Sequence, residues 1–217
     1  MKYELAIFDL DGTLLNTLED LAEAVNAVLS ANGYPLRSAD EVRRFVGNGI
    51  RKLVERSLPE NTPEDTIETV LKQFKIYYSA HQTDHTRPYP GIGDLLMRLK
   101  ASGMRLAMIS NKADSSVQVL AQHYFPGMFD AVAGEKEGIR RKPAPDAVNA
   151  ALETLQVPRE KAVYIGDSEV DIRTAHHARM DAVLVTWGFR EQAQLEEAGA
   201  RVLAGTPQEL LKILTAD

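Results

Sequence analysis

The sequence predicts an α/β protein: a Rossmann-like parallel sheet with helices on both faces, interrupted near the N-terminus by an inserted helical domain. Short apolar runs rich in β-branched residues recur along the chain, and most of the stretches between them have helical character. One long segment near the N-terminus contains no such run. Polar residues follow three of the runs, at the edge of a parallel sheet where ligands bind.

Six apolar runs are predicted to form the strands. In chain order they are YELAIFD, RLAMIS, DAVAGE, AVYIGD, DAVLVTW and ARVLA. Strands that alternate with helices are typical of βαβ units, in which a parallel sheet is buried between two layers of helices. The polar groups DLDG, SNK and GDSEVD follow the first, second and fourth runs. Because the carboxyl ends of parallel strands share one edge, we expect these groups to lie close together.

Residues 16–85 form the segment without a strand-like run. Its first apolar positions follow helical spacing: Leu18, Leu21, Ala22, Val25, Val28 and Leu29. The segment HTRPYPGIGDLL, with two prolines and two glycines, returns the chain to the sheet and is expected to act as a hinge. We therefore predict a catalytic core from residues 1–15 and 86–217, and a helical domain from residues 16–85.

Several helix starts can be predicted from capping residues. Thr17, Ser38 and Thr62 each precede an acidic residue by three positions, which is typical of a capping box. We expect Asp94 to cap the helix after the hinge, and Thr206 to cap the terminal helix.

The composition limits the classes of function. The 217 residues are 44% hydrophobic, enough for a substantial core, and the net charge of −6 argues against general nucleic-acid binding. The absence of cysteine excludes disulfides and thiolate metal sites, leaving ligands that suit Mg²⁺. Acidic residues near the N-terminus disfavour a signal peptide, and no run is long enough for a bilayer, so we expect a cytoplasmic protein without a membrane partner. The oligomeric state is left open.

Asp9 and Asp11 form an aspartate pair where the first strand ends. Side chains two residues apart on an extended backbone point to the same side, and Gly12 lets a ligand approach the backbone closely. Neighbouring carboxylates repel each other unless a cation lies between them. The pair therefore indicates a metal site, although Asp-Gly is also common in surface turns.

The other strand ends carry further polar groups. Ser110 and Asn111 offer groups that can bind a phosphate oxygen, or can cap a helix. Lys142, in RRKPAP, is a cation on a stiff stretch of backbone, or a solvated loop lysine. Asp167 and Asp171 can face one point in space, although a helix N-terminus also favours acidic residues at these positions.

The segments DLDGTLLNT, MISN, KPAP and GDSEVD resemble, in order and approximate spacing, the four motifs of haloacid dehalogenase-like phosphatases. The resemblance covers nearly the whole chain, and residues 16–85 match the α-helical cap domain of that family. It implies a Mg²⁺-dependent phosphomonoester hydrolase. The chain departs from the family at Arg179, where glycine usually ends a helix, so we expect a changed or strained helix end there.

The resemblance also implies a role for each motif residue. Asp9 would be the nucleophile that forms an aspartyl-phosphate, Asp11 the general acid and then general base, and Lys142 a catalytic cation. The residues that would hold the phosphoryl group are Gly12, Ser110 and Asn111. The acidic residues that would form the Mg²⁺ site are Asp9, Asp11, Asp167 and Asp171, with Asp171 orienting Lys142 or a metal-bound water.

The predicted cap domain is expected to determine which substrate, a small phosphorylated metabolite, the protein uses. Its segment RRFVGNGIRKLVER resembles the cap of phosphoglycolate phosphatases, as does TWGF after the fifth strand. Arg43 and Arg51 would suit the carboxylate of 2-phosphoglycolate, although basic residues on a helix are more often simply solvated. The hinge indicates that the cap closes over the substrate.

Three alternatives remain open from the sequence. A phosphosugar mutase similar to β-phosphoglucomutase has the same fold, although Arg51 is slightly displaced from the position expected for the cap arginine of a mutase. A pyrophosphate or nucleotide phosphatase is the second. A phospho-accepting regulatory or binding module is the third, but it would not need a helical cap of this size.

Overall fold

The computed structural model describes residues 2–216, which divide into two compact units. The core unit comprises Met1–Leu15 and Pro88–Asp217, and the helical unit comprises Asn16–Arg87. The elements are β1 (Leu5–Phe8), β2 (Leu15–Asn16), α1 (Leu18–Ala31), α2 (Ala39–Phe45), α3 (Ile50–Ser57), α4 (Glu64–His81), β3 (Arg87–Pro88), α5 (Ile92–Ala101), β4 (Arg105–Ala113), α6 (Asp114–Tyr124), β5 (Ala131–Glu135), α7 (Asp146–Leu155), β6 (Ala162–Gly166), α8 (Glu169–Ala178), β7 (Asp181–Val185), α9 (Gln192–Glu197), β8 (Leu203–Ala204) and α10 (Pro207–Thr215).

The core unit has the predicted Rossmann-like α/β fold. Within residues 2–216 its sheet has six strands in the order β5-β4-β1-β6-β7-β8, and the neighbouring strands are parallel. Apolar side chains of α5, α6 and α10 pack in one buried cluster with the sheet, and those of α7 and α8 in another. All six predicted strands are thereby confirmed, with helices on both faces.

The register of the sheet brings the predicted motif segments to one edge. Phe8, the last residue of β1, lies opposite Met108 of β4 and Ile165 of β6. β4 continues through a register shift to Ala113, so Ser110 lies within that strand rather than just beyond it. Asp9, Ser110 and the residues after β6 therefore share the carboxyl edge of the sheet.

The helical unit is built from α1 to α4. Apolar residues of these helices form its interior, with Phe74 and Tyr78 of α4 stacked at a centroid distance of 5.6 Å. The carboxylate of Asp20 is buried in α1 and accepts hydrogen bonds from the backbone N–H groups of His85 (2.8 Å) and Thr86 (2.9 Å). These hydrogen bonds connect the C-terminal end of the helical unit to α1. None of the helices within residues 2–216 has the length and apolar character needed to cross a membrane.

Two of the predicted caps are confirmed. Ser38 and Glu41 form a complete capping box at the start of α2. The Thr206 hydroxyl accepts a hydrogen bond from the backbone N–H of Glu209 at the start of α10. Arg179 adopts the left-handed conformation at the end of α8, with φ 54° and ψ 49°, so it retains the geometry that glycine would favour.

The other three caps differ from the prediction. Thr17 occupies the predicted cap position before α1, but its side chain makes no cap hydrogen bond to the first turn of that helix, whose residues the structure describes. Thr62 lies one residue before the cap position, because Pro63 has an extended ψ of 146° and α4 begins after it. Gly91, in the left-handed conformation, precedes α5, so Asp94 lies in the first turn of that helix instead of capping it.

Candidate active site

Asp9 extends the sheet by one residue beyond β1. Its backbone N–H donates to the carbonyl of Ile165 (2.8 Å), and its Oδ1 accepts from the backbone N–H of Leu10 (2.7 Å). The chain then turns at Gly12, whose φ of +83° lies in the left-handed region that favours glycine. Asp9 is buried and its carboxylate is held at the carboxyl edge of the sheet.

Lys142 brings a buried cation to Asp9. Its Nζ lies 2.8 Å from Asp9 Oδ1 and 2.8 Å from Asp171 Oδ1. Asn111 Nδ2 donates to the backbone carbonyl of Lys142 (3.0 Å) and so fixes the segment that carries it. Burial alone would lower the pKa of Lys142, but the charges of Asp171 and Asp9 outweigh burial and raise that pKa well above its usual value. Lys142 is therefore a permanent positive charge in the site.

Asp171 has both carboxylate oxygens engaged by the chain itself. Oδ1 accepts from Lys142 Nζ and from the hydroxyl of Tyr164 (3.3 Å). Oδ2 accepts from Ser168 Oγ (2.6 Å) and from the backbone N–H groups of Ser168 (3.1 Å) and Asp167 (3.2 Å), which completes a capping box on α8. The helix N-terminus thus holds Asp171 in place, and Asp171 holds Lys142.

Asp167 is buried and accepts two hydrogen bonds. Thr13 Oγ1 donates to its Oδ1 (3.1 Å), and the backbone N–H of Phe189 donates to its Oδ2 (2.8 Å). Burial, followed by the negative charge of Asp171, raises the pKa of Asp167 to about 7, which these hydrogen bonds oppose. Burial and the charges of Asp171 and Asp167 likewise raise the pKa of Asp9, against the opposing effect of Lys142. The site therefore holds more buried negative charge than Lys142 alone offsets.

These carboxylates fit a hard divalent cation. Asp9, Asp167 and Asp171 each place one carboxylate oxygen within 4.8 Å of the others. Oxygen ligands are those that Mg²⁺ prefers, and a bound cation would stabilise the ionised carboxylates that burial disfavours. The residues present therefore suit the Mg²⁺ predicted from the sequence.

Replacing Asp167 by asparagine is expected to stabilise the metal-free protein at pH 8. The pKa of Asp167 is about 7 when folded and near 4 when unfolded, so between these values the folded state binds more protons. Stability therefore falls as the pH rises through this interval, and the cost disappears in Asp167→Asn. We expect a gain of about 2–4 kcal/mol at pH 8 and a smaller gain at pH 5. Thermal unfolding in EDTA at both pH values measures it, and a difference between variant and parent that does not change with pH would contradict the assignment.

Asp11 has a cation of its own, Lys112. Lys112 Nζ lies 3.1 Å from Asp11 Oδ1, and Lys112 is buried in β4. The backbone N–H of Lys112 donates to Ser110 Oγ (3.2 Å). Lys112 was not predicted as a site residue, although it belongs to the SNK group. The signal that could have found it is its spacing, since residues 110 and 112 of an extended strand point to the same side.

The segment after β7, which contains TWGF, forms one wall of the site. Trp187 Nε1 donates to the backbone carbonyl of Thr13 (3.0 Å), and Phe189 donates to Asp167. Between them, Gly188 lies so close to Asp167 and to the backbone oxygen of Gly12 that a Cβ would overlap both. These three residues were noted in the sequence only for a family resemblance, and their contacts now give them a structural role.

Replacing Gly188 by alanine is expected to lower the phosphatase activity implied by the four motifs by about 10- to 100-fold. The new methyl group must displace Asp167 or the Gly12 turn. Gly103→Ala is not a neutral control because its φ is +88°, whereas Gly93→Ala is suitable, since a Cβ on Gly93 meets open space. Steady-state rates of both variants under saturating Mg²⁺ measure the effect. Equal activity of Gly188→Ala and Gly93→Ala would show that the close packing is dispensable.

The predicted site residues of the core unit therefore come together: Asp9, Asp11, Gly12, Ser110, Asn111, Lys142, Asp167 and Asp171. Arg43 and Arg51 belong to the helical unit. Arg43 is about half exposed and lies 4.0 Å from Asp40. Arg51 contacts the carboxylates of three glutamates, which are Glu55, Glu64 and Glu68. A substrate carboxylate would have to compete with these partners, and the role of both arginines in substrate binding stays a prediction.

A comparison with protein families gives a match over most of the chain. The family model described as haloacid dehalogenase-like hydrolase matches residues 6–185. The chain belongs to the haloacid dehalogenase-like hydrolase family. The family predicted from the four motifs is therefore confirmed, and the predicted enzyme class, a phosphatase, is confirmed with it.

Relatives of this haloacid dehalogenase-like hydrolase match along most of its length. Phosphoglycolate phosphatase from Aquifex aeolicus is 32% identical over 209 residues, covering 96% of this chain and 95% of the relative. Phosphoglycolate phosphatase from Cereibacter sphaeroides is 36% identical over 188 residues, covering 85% of each. The crystal structure of a candidate phosphoglycolate phosphatase from Lactobacillus delbrueckii subsp. bulgaricus is 39% identical, with a TM-score of 0.96 and full coverage of both chains.

Proposed function

We propose that this phosphatase hydrolyses 2-phosphoglycolate with Mg²⁺ and forms an aspartyl-phosphate on Asp9. The observation that carries the proposal is the position of Asp9, a buried carboxylate 2.8 Å from the Lys142 cation, with Asp167 and Asp171 beside it. The names of the relatives, which are phosphoglycolate phosphatases, support the substrate.

Asp9 and Asp11 divide the chemistry between them. In the first half-reaction, an Asp9 carboxylate oxygen forms a bond to phosphorus while the bond from phosphorus to the glycolate oxygen breaks. Asp11 gives its proton to that leaving oxygen. In the second half-reaction, water attacks the phosphorus of the aspartyl-phosphate, Asp11 takes a proton of the water, and the bond between phosphorus and the Asp9 oxygen breaks. Inorganic phosphate leaves, and both aspartates return to their initial states.

The surrounding residues hold the phosphoryl group and its charge. Ser110 and Asn111 lie at the same sheet edge and would donate hydrogen bonds to the phosphoryl oxygens. Gly12 was also predicted to bind the phosphoryl group, but its backbone N–H donates to the carbonyl of Leu15 (2.9 Å) in this structure. Lys142 stabilises the Asp9 carboxylate and the charge of the transferring group.

Asp9, Asp167 and the backbone carbonyl of Asp11 would hold Mg²⁺. When bound, the ion supplies positive charge that allows an anionic nucleophile to approach a phosphate dianion. Asp171 is also among the predicted metal ligands, and it belongs to the same acidic cluster. Because its two oxygens accept five hydrogen bonds from the chain, against two at Asp167, we assign Asp171 to positioning Lys142.

Phosphate release from a panel of substrates tests the proposal. The panel contains 2-phosphoglycolate, glucose 6-phosphate, AMP and pyrophosphate, each with Mg²⁺ or EDTA. We expect Mg²⁺-dependent release with the highest kcat/KM for 2-phosphoglycolate. A higher kcat/KM for AMP or pyrophosphate would overturn 2-phosphoglycolate as the substrate but would still support a phosphatase. Interconversion of β-glucose 1-phosphate and glucose 6-phosphate without phosphate release would overturn the hydrolase in favour of a mutase.

A further inference from the structure

Lys112 is a buried cation to which the proposed function gives no task. Its side chain is 3% exposed and its partner, the Asp11 side chain, is 15% exposed. Removing a lysine charge from water costs several kcal/mol unless an anion compensates it, so this ion pair is a specific arrangement rather than a solvated surface contact.

The backbone holds Lys112 in this position. Its N–H donates to Ser110 Oγ, and its carbonyl oxygen lies so close to Gly134 of β5 that a Cβ there would approach it to 2.7 Å. The N–H of Gly134 donates to Oδ1 of Asp114 (2.9 Å), the first residue of α6. β5 is therefore packed directly against the end of β4 that carries Lys112.

The site thus pairs each central aspartate with a different lysine. Lys142 contacts Asp9 and Asp171, whereas Lys112 contacts Asp11. A single lysine between Asp9 and Asp11 would stabilise both carboxylates alike. Two separate lysines allow the nucleophile and the proton donor to be held independently.

We propose that Lys112 is a positioning residue for proton transfer by Asp11. Through the 3.1 Å contact, Lys112 fixes the orientation of the Asp11 carboxyl group, which gives its proton to the leaving oxygen in the first half-reaction and takes the proton of water in the second. This inference rests on the proposed function, because it needs Asp11 to act as the general acid.

The leaving group provides a test that a purely structural role would not affect. Glycolate leaves as a poorly stabilised alkoxide and needs the proton of Asp11, whereas 4-nitrophenolate leaves without one. We would measure kcat/KM, which reports the first half-reaction, for 2-phosphoglycolate and 4-nitrophenyl phosphate with Lys112→Met. The ratio of the two values comes from one preparation, so partial unfolding of the variant cancels.

We expect Lys112→Met to lower kcat/KM for 2-phosphoglycolate by about 10- to 100-fold more than for 4-nitrophenyl phosphate. Asp11→Asn should show the same selectivity, and adding Lys112→Met to Asp11→Asn should leave the ratio unchanged. Lys112→Arg should restore part of the ratio. Lys136→Met, which removes a half-exposed lysine paired with Asp114, should change neither rate.

Two results separate the possible failures. Equal losses for both substrates in Lys112→Met would overturn the inference, since Lys112 would then act on the phosphoryl group or on folding alone. If the unchanged protein releases phosphate from neither substrate, the proposed function itself fails. That outcome is distinguished from failure of the inference because it does not depend on the ratio of the two kcat/KM values.

Discussion

Replacing Asp9 by asparagine is expected to reduce phosphate release by at least about 10⁴-fold, because an amide cannot form the covalent bond to phosphorus. The substitution conserves the shape of the side chain, and Lys142 keeps its contact with Asp171. The loss should appear in kcat for every substrate that the protein hydrolyses. Asp94→Asn, which changes a half-exposed aspartate of α5, is the matched control and should retain full activity.

In the absence of metal, Asp9→Asn is expected to be at least as stable as the parent protein. Burial raises the pKa of Asp9 well above its usual value, so at neutral pH the ionised carboxylate is a cost to the folded state that asparagine removes. Thermal unfolding in EDTA at pH 8 measures this. If Asp9→Asn is inactive and has a lower melting temperature than the parent, misfolding would explain the loss of activity. If Asp9→Asn retains more than a hundredth of the parental activity, the nucleophile must be another residue.

Replacing Lys142 by methionine is expected to lower activity by about 10³-fold or more and to destabilise the protein. The substitution keeps the length of the apolar stem but leaves Asp9 and Asp171 buried without their cation. Breaking a buried ion pair from one side costs about 3–5 kcal/mol, and removing a charge that stabilises the transition state costs a similar amount. Urea unfolding at pH 8 and steady-state kinetics measure the two effects.

The destabilisation should depend on pH in a defined direction. Without Lys142, the pKa of Asp9 rises further when folded, while the unfolded carboxyl group still titrates near pH 4. The folded variant then binds more protons, so its stability falls as the pH rises from about 4 towards 8. We expect the gap between variant and parent to be smaller at pH 5. Lys161→Met, at an exposed pair with Glu4, is the control, and equal losses in both variants would contradict a special role for Lys142.

The strands and the meeting of the motif residues could be predicted because both follow from local pattern. Apolar runs that alternate with helices define a parallel sheet, and a parallel sheet brings the ends of its strands to one edge. Asp9 and Asp167 were predicted in this way, whereas the role of Lys142 came from the family resemblance. The structure places Asp9 beside both of them.

The features that were missed depend on contacts between residues far apart in sequence. Asp20 was expected to complete a capping box at Thr17, but its carboxylate accepts bonds from residues 85 and 86 instead. Spacing along β4 could have pointed to Lys112, but the contacts of Lys112 with Asp11 and of Gly188 with Asp167 arise only from tertiary packing. A single sequence gives the spacing of such residues along an element, but it does not give the partner that tertiary packing brings to them.

Acid quenching of the enzyme during turnover of 2-phosphoglycolate labelled with ³²P is the most direct test of covalent catalysis by Asp9. With Mg²⁺ present, we expect label on the peptide that contains Asp9, stable to acid, released by hydroxylamine, and absent from Asp9→Asn. The label should disappear when unlabelled substrate is added in excess. Steady release of phosphate without labelled protein, or label on another residue such as Ser110, would contradict the assignment of Asp9 as the nucleophile.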